Sequence, residues 1–251
     1  MTLMDRVAIV TGAASGIGRA TALFFARQGI KVLAADLDEK GGQETVDLIC
    51  LHRGAALFFK ADISQSGQVK AMVEKAVTTY GRLDYAFNNA GIEGESAQTA
   101  ECSEANWDLV TGTNLKGTWL CMKHELPHML RHGQGAIVNN ASIAGLVGFQ
   151  GIPAYCASKG GVIQLTRTAA LEYASSGIRI NAVCPGAVQT PMLTRSFGDD
   201  PEAEKAFMAQ VPMRRAGKPE EVAEAVFWLC SEAASYVHGH MLVVDGGWIV
   251  Q

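Results

Sequence analysis

Tyr155 and Lys159 are separated by three residues, so any helix containing both presents them on one face. A free phenol has a pKa near ~10 and is a poor base at neutral pH. A neighbouring ammonium favours the phenolate and lowers that value. Such a pair could pass a proton to or from a hydroxyl or carbonyl oxygen. Ser142 follows the apolar run 136–141 and could hydrogen-bond the same oxygen. On its own, a Tyr and a Lys at this spacing more often mean a surface lysine beside a half-buried tyrosine.

A second group of residues could bind a phosphate. Thr11-Gly12-Ala13-Ala14-Ser15-Gly16-Ile17-Gly18 follows the first apolar run and leads into a helical pattern. Glycines let the backbone turn tightly and approach a pyrophosphate without a clashing Cβ. The helix N-terminus supplies free N–H groups and positive dipole character to the same anion. Asp36 closes the second apolar run, where a carboxylate can accept hydrogen bonds from adenosine ribose hydroxyls. The glycine spacing departs from the common G-x-G-x-x-G fingerprint. The order of strand, glycines, helix, strand and acid still points to a dinucleotide.

These residues need a scaffold. Short apolar runs at 7–10, 31–35, 55–60, 83–87, 136–140, 178–183 and 241–244 read as strands. Stretches with helical spacing of apolar residues lie between them at 17–28, 39–52, 65–80, 103–130, 154–174 and 220–230. Gly29 and Gly81 suit left-handed helix caps, and Lys218-Pro219-Glu220-Glu221 opens the last helix. The alternation predicts an α/β fold, a parallel sheet with helices on both faces. No linker or repeat divides the chain, so residues 1–251 are expected to form a single domain. The irregular stretch 188–217 follows a strand, and ligands bind at the carboxyl ends of such strands. It is expected to be a substrate lid, with Met192 as a contact. Phe197, Phe207, Met208 and Met213 fit either its inner face or the core.

Composition narrows the function. Hydrophobic residues make up 48% of the 251 and charged residues 18%, with a net charge of −4, which argues against disorder. A mildly acidic chain has no electrostatic reason to bind nucleic acid or an anionic membrane. The six cysteines contain no C-x-x-C pair. No leader pattern precedes the first strand, and the uncharged stretch 133–158 carries Asn139, Asn140, Gln150 and Pro153, unlike a membrane span. A cytoplasmic location is expected. His124, His128 and His132 recur at helical spacing, but Pro127 interrupts them and histidines also suit a helix C-terminus; no metal is expected there.

The glycine motif, Asn88-Asn89-Ala90-Gly91, Asn114, Ser142, Tyr155-x-x-x-Lys159 and Pro185-Gly186 occur in one order across essentially the whole chain. In this the sequence resembles the short-chain dehydrogenase/reductase family, in its form of this chain's length. The resemblance implies a doubly wound Rossmann fold with a seven-stranded parallel sheet. It implies hydride transfer between nicotinamide and a secondary alcohol or ketone, with Tyr155 as acid/base. Lys159 would lower the Tyr155 pKa and hold the nicotinamide ribose, Ser142 would orient the reacting oxygen, and Asn114 would hold a water in a proton relay.

By the same resemblance the cofactor meets Gly12, Ser15, Gly16, Ile17, Gly18, Asp36, Leu37, Asp62, Ile63, Asn89, Ala90, Gly91, Tyr155, Lys159, Pro185, Gly186, Val188 and Thr190. Asp36, with Ala14, Ala35 and Leu37 around it and no basic residue in those places, favours NAD over NADP. Candidate substrate contacts are Glu93, Ile143, Phe149, Gln150 and Met192. A homotetramer is implied, and a divalent ion at the C-terminus stays open. Two other readings remain: a catalytically silent dinucleotide-binding or scaffold protein on the same fold, and a 3-oxoacyl thioester reductase. A complete proton relay argues against the silent binder.

Overall fold

A computed structural model describes residues 6–198 and 200–251, apart from the side chains of Phe197 and Pro201. Residues 1–5 and Asp199, included in the expected domain and lid, lie outside it, as does the Phe197 side chain. The strands are β1 (Val7–Thr11), β2 (Lys31–Asp36), β3 (Ala56–Lys60), β4 (Tyr85–Asn88), β5 (Gly135–Asn140), β6 (Ile178–Pro185) and β7 (Met241–Val244). They form one seven-stranded sheet in the order β3-β2-β1-β4-β5-β6-β7, and every pairing is parallel. Strand order reverses between β1 and β4. The carboxyl ends of those two strands flank the crevice where such sheets bind ligands.

Helices cover both faces. They are α1 (Gly16–Arg27), α2 (Glu39–Leu51), α3 (Ser66–Tyr80), α4 (Glu104–Thr111), α5 (Gly117–His132), α6 (Pro153–Tyr173), α7 (Pro191–Phe197), α8 (Pro201–Met208) and α9 (Pro219–Cys230). Strands buried on both faces need apolar residues at every position rather than at alternate ones. In β1, Ala8 and Val10 pack toward Phe25, Ile49 and Val226 from α1, α2 and α9. Ile9 points the other way, into the cluster of Met72, Leu120 and Ala170 from α3, α5 and α6.

The stretch 103–130, expected to be one helix, contains a π turn at Gly112–Lys116 between α4 and α5. The Gly117 N–H reaches back five residues to the Gly112 carbonyl. Helical periodicity cannot reveal one wide turn, because the apolar spacing on either side still looks helical. Pro127 lies inside α5 without ending it. The stretch 188–217 is more ordered than expected: it holds α7 and α8, each opened by a proline and capped by Thr190 and Asp200 respectively.

Candidate active site

Phosphate-loop geometry comes from tight packing at the end of β1. Gly12 and Gly16 take positive φ values of 66° and 52°, which favour glycine. A Cβ on Gly18 would lie 2.0 Å from the Gly12 carbonyl oxygen, so only glycine lets α1 approach the loop. Ser15 caps α1 without a side-chain bond to the helix, and the first turn carries no acid. That end is therefore open to an anion.

Asp36 stands at the edge of this loop. Its Oδ2 accepts from the Ala14 N–H at 2.9 Å and its Oδ1 from the Asp38 N–H at 3.0 Å. Arg19, the nearby cation, is held away by bonds to Thr45 Oγ1 at 3.0 Å, the Gly41 carbonyl at 3.0 Å and Glu44 at 3.2 Å. Leu37 is exposed. Asp62, after β3, accepts from the Ser64 N–H at 2.9 Å, and buried Ile63 packs against Gly117.

Thr11 ties the loop to β4. Its hydroxyl accepts from the Asn89 and Ala90 N–H groups at 3.0 and 3.1 Å. Asn89 Nδ2 donates to the Thr11 carbonyl at 2.9 Å. Asn140 Nδ2, at the end of β5, donates to Asn89 Oδ1 at 2.9 Å. A Cβ on Gly91 would sit 3.0 Å from Asn114 Oδ1 and 3.6 Å from Lys159 Nζ. Asn114 lies in the π turn, a feature common at functional sites. It accepts from the Ile92 N–H and donates to the Ile92 carbonyl, both at 2.8 Å.

Ser142, Tyr155 and Lys159 converge beside this crevice. Ser142 is buried after β5, accepts from the Ala144 N–H at 3.1 Å and lies near enough to the Tyr155 phenol to favour its ionised form. Lys159 is buried on α6 and donates to the Asn140 carbonyl at 2.7 Å. Its ammonium lies over the Tyr155 ring, 5.5 Å from the centroid.

The electrostatics differ from expectation. Burial pushes the Tyr155 phenol up to about 12, against the lowering effect of Ser142 and with a further push from the Glu93 carboxylate. Burial also brings Lys159 down to about 8. Lys159 was expected to lower the phenol, but burial is the largest influence on this partly exposed ring and Lys159 is not among the groups that act on it. The resting phenol is protonated and placed to donate.

Pro185 ends β6. Gly186 lies so close to Asp245 that a Cβ would meet its Cα at 2.8 Å. Buried Val188 pairs with Gly217, which closes the base of 188–217. Thr190 reaches the phosphate loop: a Cβ on Gly16 would lie 3.0 Å from its Cγ2. An open cleft of about 740 Å³ runs along this segment, lined by Gln189, Thr190, Leu193 and Glu204 among others.

Of the candidate substrate contacts, Glu93 accepts from Ser196 Oγ on α7 at 3.0 Å, Ile143 is buried and Gln150 is exposed. Trp248, not among the substrate contacts expected from the sequence, lies between Phe149 and Phe207, with ring centroids at 5.8 and 4.8 Å. Its signal was an aromatic in a chain-end segment, which has no local partner to betray a contact. His124 bonds Ser66 at 3.0 Å and His128 bonds Arg131 at 3.0 Å. Among the described residues no group of three His, Cys, Asp or Glu gathers as a metal site. No helix among them is long and apolar enough to cross a membrane.

Residues 12–249 match a family described as enoyl-(acyl carrier protein) reductase. Cyclohexanol dehydrogenase of Acinetobacter sp. is 47% identical over 97% of this chain and 95% of its own. The chain belongs to the short-chain dehydrogenase/reductase family. This short-chain dehydrogenase is accordingly an NAD(P)-dependent oxidoreductase acting on CH–OH donors.

Other relatives bracket it. A 2,5-dichloro-2,5-cyclohexadiene-1,4-diol dehydrogenase of Sphingobium indicum is 42% identical over 98% of this chain and 97% of its own. A 3-oxoacyl-[acyl-carrier-protein] reductase of Thermotoga maritima is 39% identical over 100% of both chains. Levodione reductase superposes with a TM-score of 0.94 at 38% identity, covering 97% of each chain. A putative gluconate 5-dehydrogenase of Beutenbergia cavernae, with NADP at low occupancy, gives 0.91 at 40% identity, covering 98% and 97%.

Proposed function

We propose that this short-chain dehydrogenase uses NAD to interconvert an alicyclic secondary alcohol and its ketone. The observation that carries the reading is the meeting of Ser142, Tyr155 and Lys159 at the strand-order reversal, with the open N-terminus of α1 across the crevice. The nicotinamide supplies the hydride chemistry.

The chain's residues do the rest. Gly12, Ser15, Gly16, Ile17 and Gly18 hold the pyrophosphate, and Asp36 and Leu37 hold the adenosine ribose. Asp62 and Ile63 flank the adenine. Asn89, Ala90 and Gly91 line the middle of the crevice; Pro185, Gly186, Val188 and Thr190 receive the nicotinamide. Ser142 orients the substrate oxygen. Tyr155 gives that oxygen a proton in ketone reduction and removes it in alcohol oxidation. Lys159 holds the nicotinamide ribose, and Asn114 positions a water that refills the relay.

Asp36 supports NAD over NADP, because a ribose phosphate there would face a carboxylate while Arg19 is held by Thr45, Gly41 and Glu44. An alicyclic substrate is supported by two relatives whose names carry that ring, and by an apolar mouth of Phe149, Trp248 and Phe207. Residues 188–217 serve as the lid. Half-exposed Trp107, Trp119 and Trp228 support a homotetramer. The test is steady-state oxidation of cyclohexanol, linear secondary alcohols and a 3-hydroxyacyl thioester with NAD and with NADP. Cyclohexanol with NAD should have the highest kcat/KM. A clear preference for the thioester would move the protein to the 3-oxoacyl reductase reading. No turnover with any of them would leave the silent binder.

A further inference from the structure

Glu125 lies on α5 with no solvent exposure. The groups in its surroundings are Asn88 on β4, Asn139 on β5, Thr166 on α6 and the buried Cys121 thiol one turn back on α5. From α3, packed against α5, the buried residues are Val69, Met72, Val73 and Ala76. None of these groups is a cation. A buried carboxylate without a partner charge is costly and takes up a proton instead.

The hydrogen bonds show where that proton goes. Asn88 Nδ2 donates to Glu125 Oε2 at 3.1 Å. Asn88 Oδ1 and Glu125 Oε1 are both buried acceptors without a donor. A single hydrogen on Oε1, directed at Asn88 Oδ1, would satisfy both at once and close a two-bond ring between carboxylic acid and amide. The proton comes from solvent as the chain folds.

The pair sits directly behind the site. Asn88 precedes Asn89, which anchors the phosphate loop. Asn88 Nδ2 also donates to Asn139 Oδ1 at 3.0 Å, across the register Asn88↔Asn139. Asn139 in turn donates to Thr166 Oγ1 at 3.0 Å, on the helix that carries Tyr155 and Lys159. The next residue, Asn140, receives the Lys159 ammonium on its carbonyl.

We propose that Glu125 is a neutral carboxylic acid, paired with Asn88, that positions the carboxyl ends of β4 and β5 and with them the seats of the dinucleotide and Lys159. The inference rests on the site reading above only for what is positioned. Burial that raises the Glu125 pKa to about 8 agrees with it. Above that value Glu125 ionises, the ring loses its proton and the two strand ends loosen.

The experiment has two arms. Difference infrared spectra of the unmodified protein and Glu125→Gln, in heavy water near pH 6, should show a protonated-carboxyl carbonyl band that the variant lacks. Absence of that band overturns the neutral acid, whether or not the enzyme turns over a substrate. The second arm is NADH affinity by fluorescence from pH 6 to 9.5. Glutamine can make both ring bonds at any pH. The two proteins should therefore bind equally near pH 6, with the unmodified one weaker by about threefold or more at pH 9.5. Lys159 titrates in both, so their ratio isolates Glu125. A ratio near one at every pH overturns the positioning role. Failure of NADH to bind either protein near pH 6 would instead refute the dinucleotide reading, leaving the infrared arm to stand.

Discussion

At the end of β1 the chain has no slack. Every residue of that strand is buried, and Gly18 could not carry a Cβ without striking the Gly12 carbonyl. The segment 188–217 is the opposite. Most of the described side chains of α7 and α8 are exposed or half-exposed; backbone bonds close the segment's base, Gln189 to Gly217 and Met213 to Gly246, while its helices are held by side chains, Ser196 on Glu93 and Phe207 on Trp248. The dinucleotide end is thus specified by backbone packing, where almost any change is felt. The proposed substrate end depends more on a few replaceable side-chain contacts along α7 and α8. Substitutions should divide the same way: near the crevice they change the chemistry or the cofactor, and along 188–217 they change which substrate is accepted.

The largest effect should come from the crevice. Tyr155→Phe keeps the ring and removes the proton. General acid–base catalysis contributes about 10²–10⁴-fold, so kcat should fall by that much, while NADH affinity measured by fluorescence stays nearly unchanged. Turnover close to normal, with an unaltered pH profile, would remove Tyr155 from the chemistry.

Asp36 comes next. A ribose phosphate carries roughly −1.5 to −2 charges near neutral pH. At about 4 Å and an effective dielectric near 20, two unit like charges repel by roughly 4 kcal/mol before screening. Retaining about 3 kcal/mol gives roughly a 100-fold preference for NAD. Arg19 is engaged with α2, so it does not offset the repulsion. Asp36→Ala should narrow the gap mainly by improving kcat/KM with NADP. Equal use of NAD and NADP by the unmodified enzyme would contradict this, and the NADP in a solved relative makes the comparison a real test.

On the substrate side, Trp248→Ala removes a ring packed between Phe149 and Phe207. Aromatic pairs contribute about 0.5–1.5 kcal/mol each beyond burial. KM for an alicyclic alcohol should rise about tenfold, with NADH affinity unchanged. A loss of NADH affinity of the same size would show that the chain end braces the cofactor crevice instead.

What the sequence revealed follows the same division. The strands and the phosphate loop were legible because they depend on local rules: apolar runs, glycines at a turn, an acid at a strand end. The four residues proposed for catalysis stood out only as a constellation, since Tyr155 and Lys159 alone are commonplace. Contacts made across elements were not legible. The pairing of Asn88 with Asn139 needs the β4–β5 register, and the place of Trp248 needs residues 245–251 to return to the segment 188–217. The wide turn around Asn114 escaped because an i→i+5 bond leaves no apolar signature. The part that burial plays at Tyr155 was not legible, because spacing reports neighbours such as Lys159, whereas burial depends on the whole fold.

The smallest effect joins the two regions. Glu93 bonds Ser196 on α7 and its carboxylate also acts on Tyr155, raising the pKa of the phenol. Alcohol oxidation needs the phenol deprotonated, so its rate should climb with pH toward the phenol's raised value. Glu93→Gln removes the negative charge and keeps a polar group near Ser196. The phenol pKa should fall, and the rising limb of kcat/KM for oxidation should move to lower pH. The proton donor for reduction should be lost at lower pH as well. Ser196→Ala is the control, because it breaks the contact with α7 and leaves the charge in place. A single bond between half-exposed groups contributes about 1 kcal/mol, so its KM should rise by no more than about fivefold, with the pH limb unmoved. If Glu93→Gln leaves the limb in place while Ser196→Ala shifts it, lid position rather than charge governs Tyr155, and the two regions are less separable than their packing indicates.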